Sequence, residues 1–268
     1  MSTSNQPVVL AIAGFDPSAG AGVLADIKTI SAFGCYGLGA VTSLTMQNTR
    51  EVLAAHHLAG EAISEQLMPL FADFEIAAVK TGMLPTVELV EEVAAILSTN
   101  PVPHIVVDPV ARSTSGYDLM SEDALAMLIN LLFPISSVVT PNWNEAEQIT
   151  RIAVRDEPSA EKAARAILEL GPRAVLVKGG GSDSVNATDL LVDPEGAVWY
   201  RSPKIRSRNT HGTGCTLASA LACLLASGGT IREAVATAKE YIREAILTAP
   251  DLGSGQGPLN HFPPDWKL

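Results

Sequence analysis

The residues best suited to chemistry gather in the stretch Asn209-Thr-His-Gly-Thr-Gly-Cys-Thr216. Its glycines let the backbone turn several amides toward one point, and the apolar segment that follows reads as a helix whose N-terminus adds about half a positive charge. Such a cradle suits an anion, above all a phosphoryl group in transfer, whose charge lies on its equatorial oxygens. The plainer alternative is a glycine turn that merely starts a helix. Cys215 stands at that start, where the dipole is expected to favour its thiolate and make it a base toward a substrate hydroxyl. Cys35 and Cys223 read as small buried hydrophobes. His211 lies inside the cradle and is expected to shape it.

Other polar groups each end an apolar run. Gln47 offers an acceptor and two donors, the complement of the ring nitrogen and amino group of an aminopyrimidine. Asp108 and Glu145 are carboxylates suited to magnesium, with Asn142 just before Glu145. Lys178 brings a positive charge to nucleotide phosphates, on the side expected also to hold Asn142 and Thr210. Asp16 is either an acceptor for a ligand or the residue that makes the turn Asp16-Pro-Ser18. The stretch Gly14 to Gly22 matches neither GxGxxG nor GxxxxGK[ST]. His56, His57, His104 and His261 lack metal-ligand spacing and read as structural or exposed.

Placing these residues together requires a sheet. Short β-rich runs near Val8 to Ala13, Gly39 to Thr45, Ile76 to Lys80, Ile105 to Asp108, Ser137 to Thr140 and Ala174 to Lys178 alternate with helical stretches. Those stretches lie around Ala21 to Phe33, Glu61 to Phe74, Thr86 to Leu97, Glu122 to Leu132, Glu145 to Arg151 and Ser159 to Leu170. An order that is βαβα throughout predicts a parallel sheet with crossover helices. Asp189 to Val192 and Val198 to Arg201 flank the turn sequence Asp-Pro-Glu-Gly and predict a hairpin extending one edge. Gly212 to Ser227, apolar almost all round, predicts a central helix, and Ile231 to Leu247 the next. In open α/β folds ligands bind outside the carboxyl ends of the strands, where all the polar clusters fall.

With 268 residues the chain is expected to form one domain, 1–268, ending in a Gly/Pro-rich tail, 251–268. The formal net charge of −11 disfavours nucleic acid as a partner and makes any positive potential local. Mean hydropathy is +0.23, yet no apolar run approaches the roughly 18 residues of a membrane span. Three cysteines without CxxC spacing, and an N-terminus without the order of a signal peptide, lead to the expectation of a cytoplasmic protein.

The combination of Ala11-Ile-Ala-Gly-Phe-Asp-Pro-Ser-Ala-Gly-Ala-Gly22, Ala25-Asp-Ile-Lys-Thr29, Gln47-Asn-Thr49, Lys80-Thr-Gly-Met83, Val106-Val-Asp-Pro-Val110, Thr140-Pro-Asn-Trp-Asn-Glu-Ala146, Val177-Lys-Gly-Gly180 and Thr210-His-Gly-Thr-Gly-Cys-Thr216 resembles hydroxymethylpyrimidine/phosphomethylpyrimidine kinases. The motifs occur in order from about residue 8 to 250. The resemblance implies the ribokinase-like fold, a three-layer α/β/α sandwich, and a homodimer. It implies ATP-dependent phosphorylation of 4-amino-5-hydroxymethyl-2-methylpyrimidine and of its monophosphate, in thiamine biosynthesis. Gln47 would hold the pyrimidine edge, with Ala21, Thr45, Met83 and Val110 lining the pocket. Gly212, Thr213 and Gly214 would form the anion hole and Cys215 would be the base. Asp108, Asn142 and Glu145 would serve magnesium and phosphates, and Lys178 the nucleotide. Phe15 stands where the family often has Ser or Thr, and Gly181 where His is frequent. Two other readings are a pyridoxal or pyridoxine kinase and a non-catalytic pyrimidine-binding regulator of the same fold.

Overall fold

The computed structural model describes residues 6–112, 116–179, 185–264 and 266; Gly180 and Gly181 lie outside the described residues. Nine strands form one sheet: β1 (Val8–Phe15), β2 (Tyr36–Gln47), β3 (Val52–His57), β4 (Ile76–Thr81), β5 (His104–Val107), β6 (Val138–Val139), β7 (Val175–Val177), β8 (Asn186–Asp193) and β9 (Gly196–Pro203). Eight helices cover it: α1 (Gly22–Ala32), α2 (Gly60–Asp73), α3 (Val87–Thr99), α4 (Glu122–Leu131), α5 (Trp143–Thr150), α6 (Glu157–Leu168), α7 (Thr213–Ala226) and α8 (Ile231–Leu247). The strand order is β3-β2-β1-β4-β5-β6-β7-β8-β9. From β2 to β7 the strands run parallel, and β3, β8 and β9 are antiparallel.

The central strands are buried on both faces, which is why they read as unbroken apolar runs. In β1, Leu10 and Ile12 join a core with α2, α3, α4 and α6, while Val9 and Ala11 join a second core with α1, α7 and α8. Helices on both sides of a sheet make the three-layer α/β/α sandwich of the ribokinase-like class. Thr86, Ser121, Asn142, Asp156 and Thr230 cap their helices with side-chain oxygens.

The expected antiparallel hairpin edge is present as β8 and β9, and one further antiparallel strand closes the other edge, β3 pairing with β2 from Ser43↔His57 to Gln47↔Val52. The order is therefore not βαβα throughout: β2 passes directly to β3, and α5 directly to α6. Val52-Leu-Ala-Ala-His-His57 lacks the alternation and β-branched content that mark a strand, and it forms one by pairing with the long, twisting β2. The Gly/Pro-rich tail packs onto the body of the protein. Leu259 is buried, the Tyr241 hydroxyl donates to the His261 carbonyl at 2.8 Å, and the rings of Trp266, Phe33 and Tyr241 pack together.

Candidate active site

A cleft of about 910 Å³ opens outside the carboxyl ends of the parallel strands. Its lining includes Asp16, Ala21, Thr45, Gln47, Met83, Asp108, Val110, Asn142, Glu145, Lys178, Thr210 and the residues from Gly212 to Cys215, so the structure brings together every residue singled out for the site. Phe15 lines it too. Gln47 ends β2 and Lys178 follows β7, five strand positions apart in the sheet, which at the usual strand spacing is about 24 Å. α7 packs against β1, β4 and β5, placing its N-terminus and Cys215 between the two ends.

At the β2 end, Asp16 organises two loops. Its Oδ1 accepts from the Ser18 amide (2.8 Å) and hydroxyl (2.7 Å), its Oδ2 accepts from the Ala21 amide (2.9 Å), and His211 Nε2 lies 2.8 Å from Oδ2. Burial opposes ionisation here, but the hydrogen bonds from His211 and Ser18 hold Asp16 below the usual carboxylate range. Of the two readings of Asp16 the structure shows the turn-maker, and the same carboxylate also seats His211. Gln47 Nε2 lies 3.0 Å from that same His211 nitrogen, and Thr45 Oγ1, 3.2 Å from Gln47 Oε1, also donates to the Phe15 carbonyl (3.0 Å). With the His211 Nε2–H given to Asp16 and the Thr45 hydroxyl given to Phe15, the Gln47 amide meets both neighbours when its oxygen faces His211 and its nitrogen faces Thr45, an arrangement that the sequence did not reveal because Asp16, Gln47 and His211 are far apart in it.

The cradle is built on Gly212, whose φ of +82° is a left-handed conformation and whose missing Cβ would sit 1.8 Å from the Gly20 carbonyl oxygen. This locks the loop before α7 against the loop after β1. The amides of Gly214 and Cys215, in the first turn of α7, have no carbonyl one turn earlier to bond, and they point outward with the helix dipole. Thr213 departs from expectation: its amide and hydroxyl are both turned to the Thr210 carbonyl, at 3.3 and 2.7 Å.

Cys215 departs more sharply. Burial pushes its thiol up to about 11, against the pull of the Lys80 ammonium and the Gly22 amide and with the added opposition of Asp26 and Asp108. The helix dipole does not make it a thiolate at neutral pH: Cys215 is part-exposed at the cleft, but the protein atoms packed around its sulfur and the carboxylates of Asp26 and Asp108 outweigh the positive end of α7. Cys35 and Cys223 are buried as expected.

At the other end, Asp108 Oδ1 takes Lys178 Nζ at 2.6 Å and the Thr140 hydroxyl at 2.9 Å. A Cβ on Gly214 would lie 3.2 Å from Lys178 Nζ and 3.5 Å from Asp108 Oδ2, so this ion pair abuts the cradle. Burial works against the Lys178 charge, yet Asp108 and Glu145 hold its pKa above the usual lysine value. Glu145 and Asn142 form a reciprocal capping box at α5, Asn142 Oδ1 accepting from the Glu145 amide (2.9 Å) and Glu145 Oε2 accepting from the Asn142 amide (2.7 Å). Burial raises Glu145 to about 7, Lys178 opposing. Beyond them the cleft continues past Gln148, Arg155 and Lys239. Among the described residues no three His, Cys, Asp or Glu side chains could hold a metal alone. Asp108 and Glu145 fit instead the pair of carboxylates with which magnesium is held when substrate phosphates complete its shell.

Sheet, cradle and cleft together define a small-molecule kinase of the ribokinase-like fold. The chain belongs to the phosphomethylpyrimidine kinase family, whose model matches residues 16–260. It is 45% identical over 262 residues to a hydroxymethylpyrimidine/phosphomethylpyrimidine kinase of Streptomyces coelicolor, covering 98% of this chain and 96% of that protein. Among solved structures, it is similar to a phosphomethylpyrimidine kinase from Clostridium difficile, with a TM-score of 0.80 and 40% identity over 90% of this chain and all of that one. It is also similar to a pyridoxal kinase from Staphylococcus aureus solved with AMP-PCP and pyridoxal, with a TM-score of 0.89 and 31% identity over 97% and 95% of the two chains.

Proposed function

We propose that this enzyme uses ATP to phosphorylate 4-amino-5-hydroxymethyl-2-methylpyrimidine and then its monophosphate, supplying the diphosphate for thiamine biosynthesis. The observation that carries this reading is the Gln47 amide, braced by Thr45 and His211 at the end of the cleft across from Lys178. A fixed primary amide presents a donor and an acceptor together, the complement of an aminopyrimidine edge. The roughly 24 Å between the two ends accommodates a pyrimidine and a nucleotide in line, with the Cys215 thiol near the junction.

In this reading the hydroxymethyl oxygen gives its proton to the Cys215 sulfur and attacks the γ-phosphorus. The bond from that phosphorus to the β–γ bridging oxygen breaks, and its electron pair leaves with ADP. A thiolate with a raised pKa is a strong base, better matched to an alcohol than an ordinary cysteine, although little of it is present at neutral pH. The Gly214 and Cys215 amides receive the equatorial oxygens in transit. Lys178 binds nucleotide phosphates. Magnesium, held by Asp108 and Glu145 together with phosphate oxygens, would neutralise charge on the phosphates. The enzyme acts as a cytoplasmic homodimer. Tyr36, Leu44, Met46 and Leu53, exposed apolar residues of β2 and β3, suit contact with a second copy.

The likeness to pyridoxal kinase makes pyridoxal the rival acceptor. ADP release is to be measured with ATP, magnesium and one of three acceptors: the pyrimidine alcohol, its monophosphate or pyridoxal. Turnover is expected with both pyrimidines at a higher kcat/KM than with pyridoxal; a preference for pyridoxal overturns the substrate assignment. Absence of acceptor-dependent ADP release would leave a pyrimidine-binding regulator.

A further inference from the structure

The most deeply buried charges in the described structure have no place in the mechanism above. Lys80 and Asp26 are both fully buried, with Lys80 Nζ 2.8 Å from Asp26 Oδ2. Lys80 is the last position of β4 facing the α1 and α7 layer, following Ala78 on the same face. The Ser219 hydroxyl donates to the other oxygen of Asp26 at 2.8 Å. A Cβ on Gly82 would come within 2.7 Å of Lys80 Nζ, so the ammonium is tucked beneath the strand end that opens onto the cleft. Three elements, β4, α1 and α7, thus meet on one charge.

An isolated buried ion pair adds little to stability and is often replaceable by apolar residues, so its position invites a functional account. Ser219 lies four residues after Cys215, on the same face of α7 and about one turn deeper. We propose that Lys80 is a positioning residue for Cys215: clamped by Asp26 and Ser219 one helical turn below the thiol, its ammonium supplies the buried positive charge against which Cys215 gives up its proton.

The charges facing Cys215 from the elements around it are Lys80 on β4, Asp26 on α1, Asp108 after β5 and Lys178 after β7. Asp26 and Asp108 oppose a thiolate. Lys178 is engaged by Asp108 and Lys80 by Asp26; among the influences favouring the ionised sulfur, Lys80 is the strongest. Burial works against the Lys80 charge as well, yet Asp26, Cys215 and Asp108 hold its pKa above the usual lysine value, so it stays an ammonium. The step assigned to it is simple. The Cys215 S–H bond breaks, the proton passes to water, and the thiolate that remains faces Lys80 until it takes the acceptor's proton. The clamp keeps the ammonium from turning instead toward nucleotide phosphates, a task left to Lys178.

This inference rests on Cys215 being the base, and its test separates the two ideas. Lys80→Met combined with Asp26→Asn removes both charges and so avoids a lone buried carboxylate; Lys80→Gln with Asp26→Asn, a hydrogen-bonding pair of similar shape, serves where the first does not fold. The rate of iodoacetamide modification of Cys215, located by peptide mass spectrometry, is followed between pH 7 and 9 beside the kinetics. Asp26→Asn alone, which removes the opposing carboxylate and leaves Lys80, is the reference: relative to it the modification rate of the folded double variant is expected to fall about tenfold at each pH, one pKa unit of lost thiolate, with kcat falling comparably. KM for ATP and for the pyrimidine should stay within about threefold, a split that mere loss of packing does not produce. A folded double variant modified as fast as Asp26→Asn overturns the proposal. Slower modification of the double variant, found together with full activity of Cys215→Ala, upholds Lys80's effect on the thiol and refutes the base.

Discussion

At the scale of single residues, the site depends on two side chains that the sequence singled out and on pairings that it did not disclose. Gln47 and Cys215 were legible from type and position: an amide at a strand end, a thiol at a helix start. Their partners, His211 with Asp16 and Lys80 with Asp26, are paired across 195 and 54 residues, a relation that spacing alone cannot disclose. The consequence for Cys215 was the largest, since burial outweighs the dipole and keeps it a thiol. Cys215→Ala is expected to lower kcat by roughly 100-fold or more with nucleotide affinity nearly unchanged, as removal of a general base does; steady-state kinetics with isothermal titration of ATP checks both halves. On the proposed reading, Gln47→Ala removes a donor and an acceptor from the substrate ring's edge. KM for the pyrimidine is expected to rise about tenfold, the effect of about 1.4 kcal/mol, while KM for ATP stays put. A variant whose pyrimidine KM is unmoved places the ring elsewhere in the cleft.

At the scale of elements, α7 both aims the cradle and forms the centre of one core, so its first turn is where packing and chemistry meet. Its Thr216 hydroxyl lies 3.3 Å from Nε2 of His261, a buried ring whose pKa is lowered to about 4 by burial and by the Lys28 charge. A neutral ring accepts that hydroxyl, and a charged one cannot. The ring's pKa is lower in the folded protein than in the unfolded chain, so between about pH 6.5 and pH 4 the unfolded chain binds the extra proton. His261 therefore supports full stability above pH 6.5, and that support is lost as pH falls toward 4, up to about 3 kcal/mol at the limit. Thermal unfolding of His261→Gln should show a shallower loss of Tm across that window than the parent; identical slopes would mean that the ring titrates normally. The cradle itself is tested by Gly212→Ala. Its positive φ and the Gly20 carbonyl leave no room for a methyl, so kcat/KM is expected to fall by more than tenfold, with a stability cost of about 1–3 kcal/mol.

At the scale of the whole molecule, the sandwich was legible because central strands buried on both faces must be apolar along their length, and because helix caps and glycine turns punctuate them. What escaped was set by pairing rather than by local pattern. The strand β3 exists through its register with β2, and the tail through the core that it closes. Pro258 bridges His211, whose amide donates to the Gly257 carbonyl at 3.1 Å, and the Gln256 amide donates to the Thr49 carbonyl at 2.7 Å. The Gly/Pro-rich segment thus ties the end of β2, which carries Gln47, to the loop that carries His211, so its glycines and prolines shape a fitted strap. Deleting residues 251–268 exposes the ground beneath Leu259, worth about 1.5–3 kcal/mol, and strands the buried Tyr241 hydroxyl, costing about 1–3 kcal/mol more. For a chain of this size the two together correspond to a fall in Tm of roughly 5–24 °C. Because the strap touches both sides of the pyrimidine end, the truncated enzyme is expected to lose affinity for the acceptor before it loses affinity for ATP. Binding of each ligand, followed below the lowered Tm, measures this directly, and equal losses for both would assign the tail to stability alone.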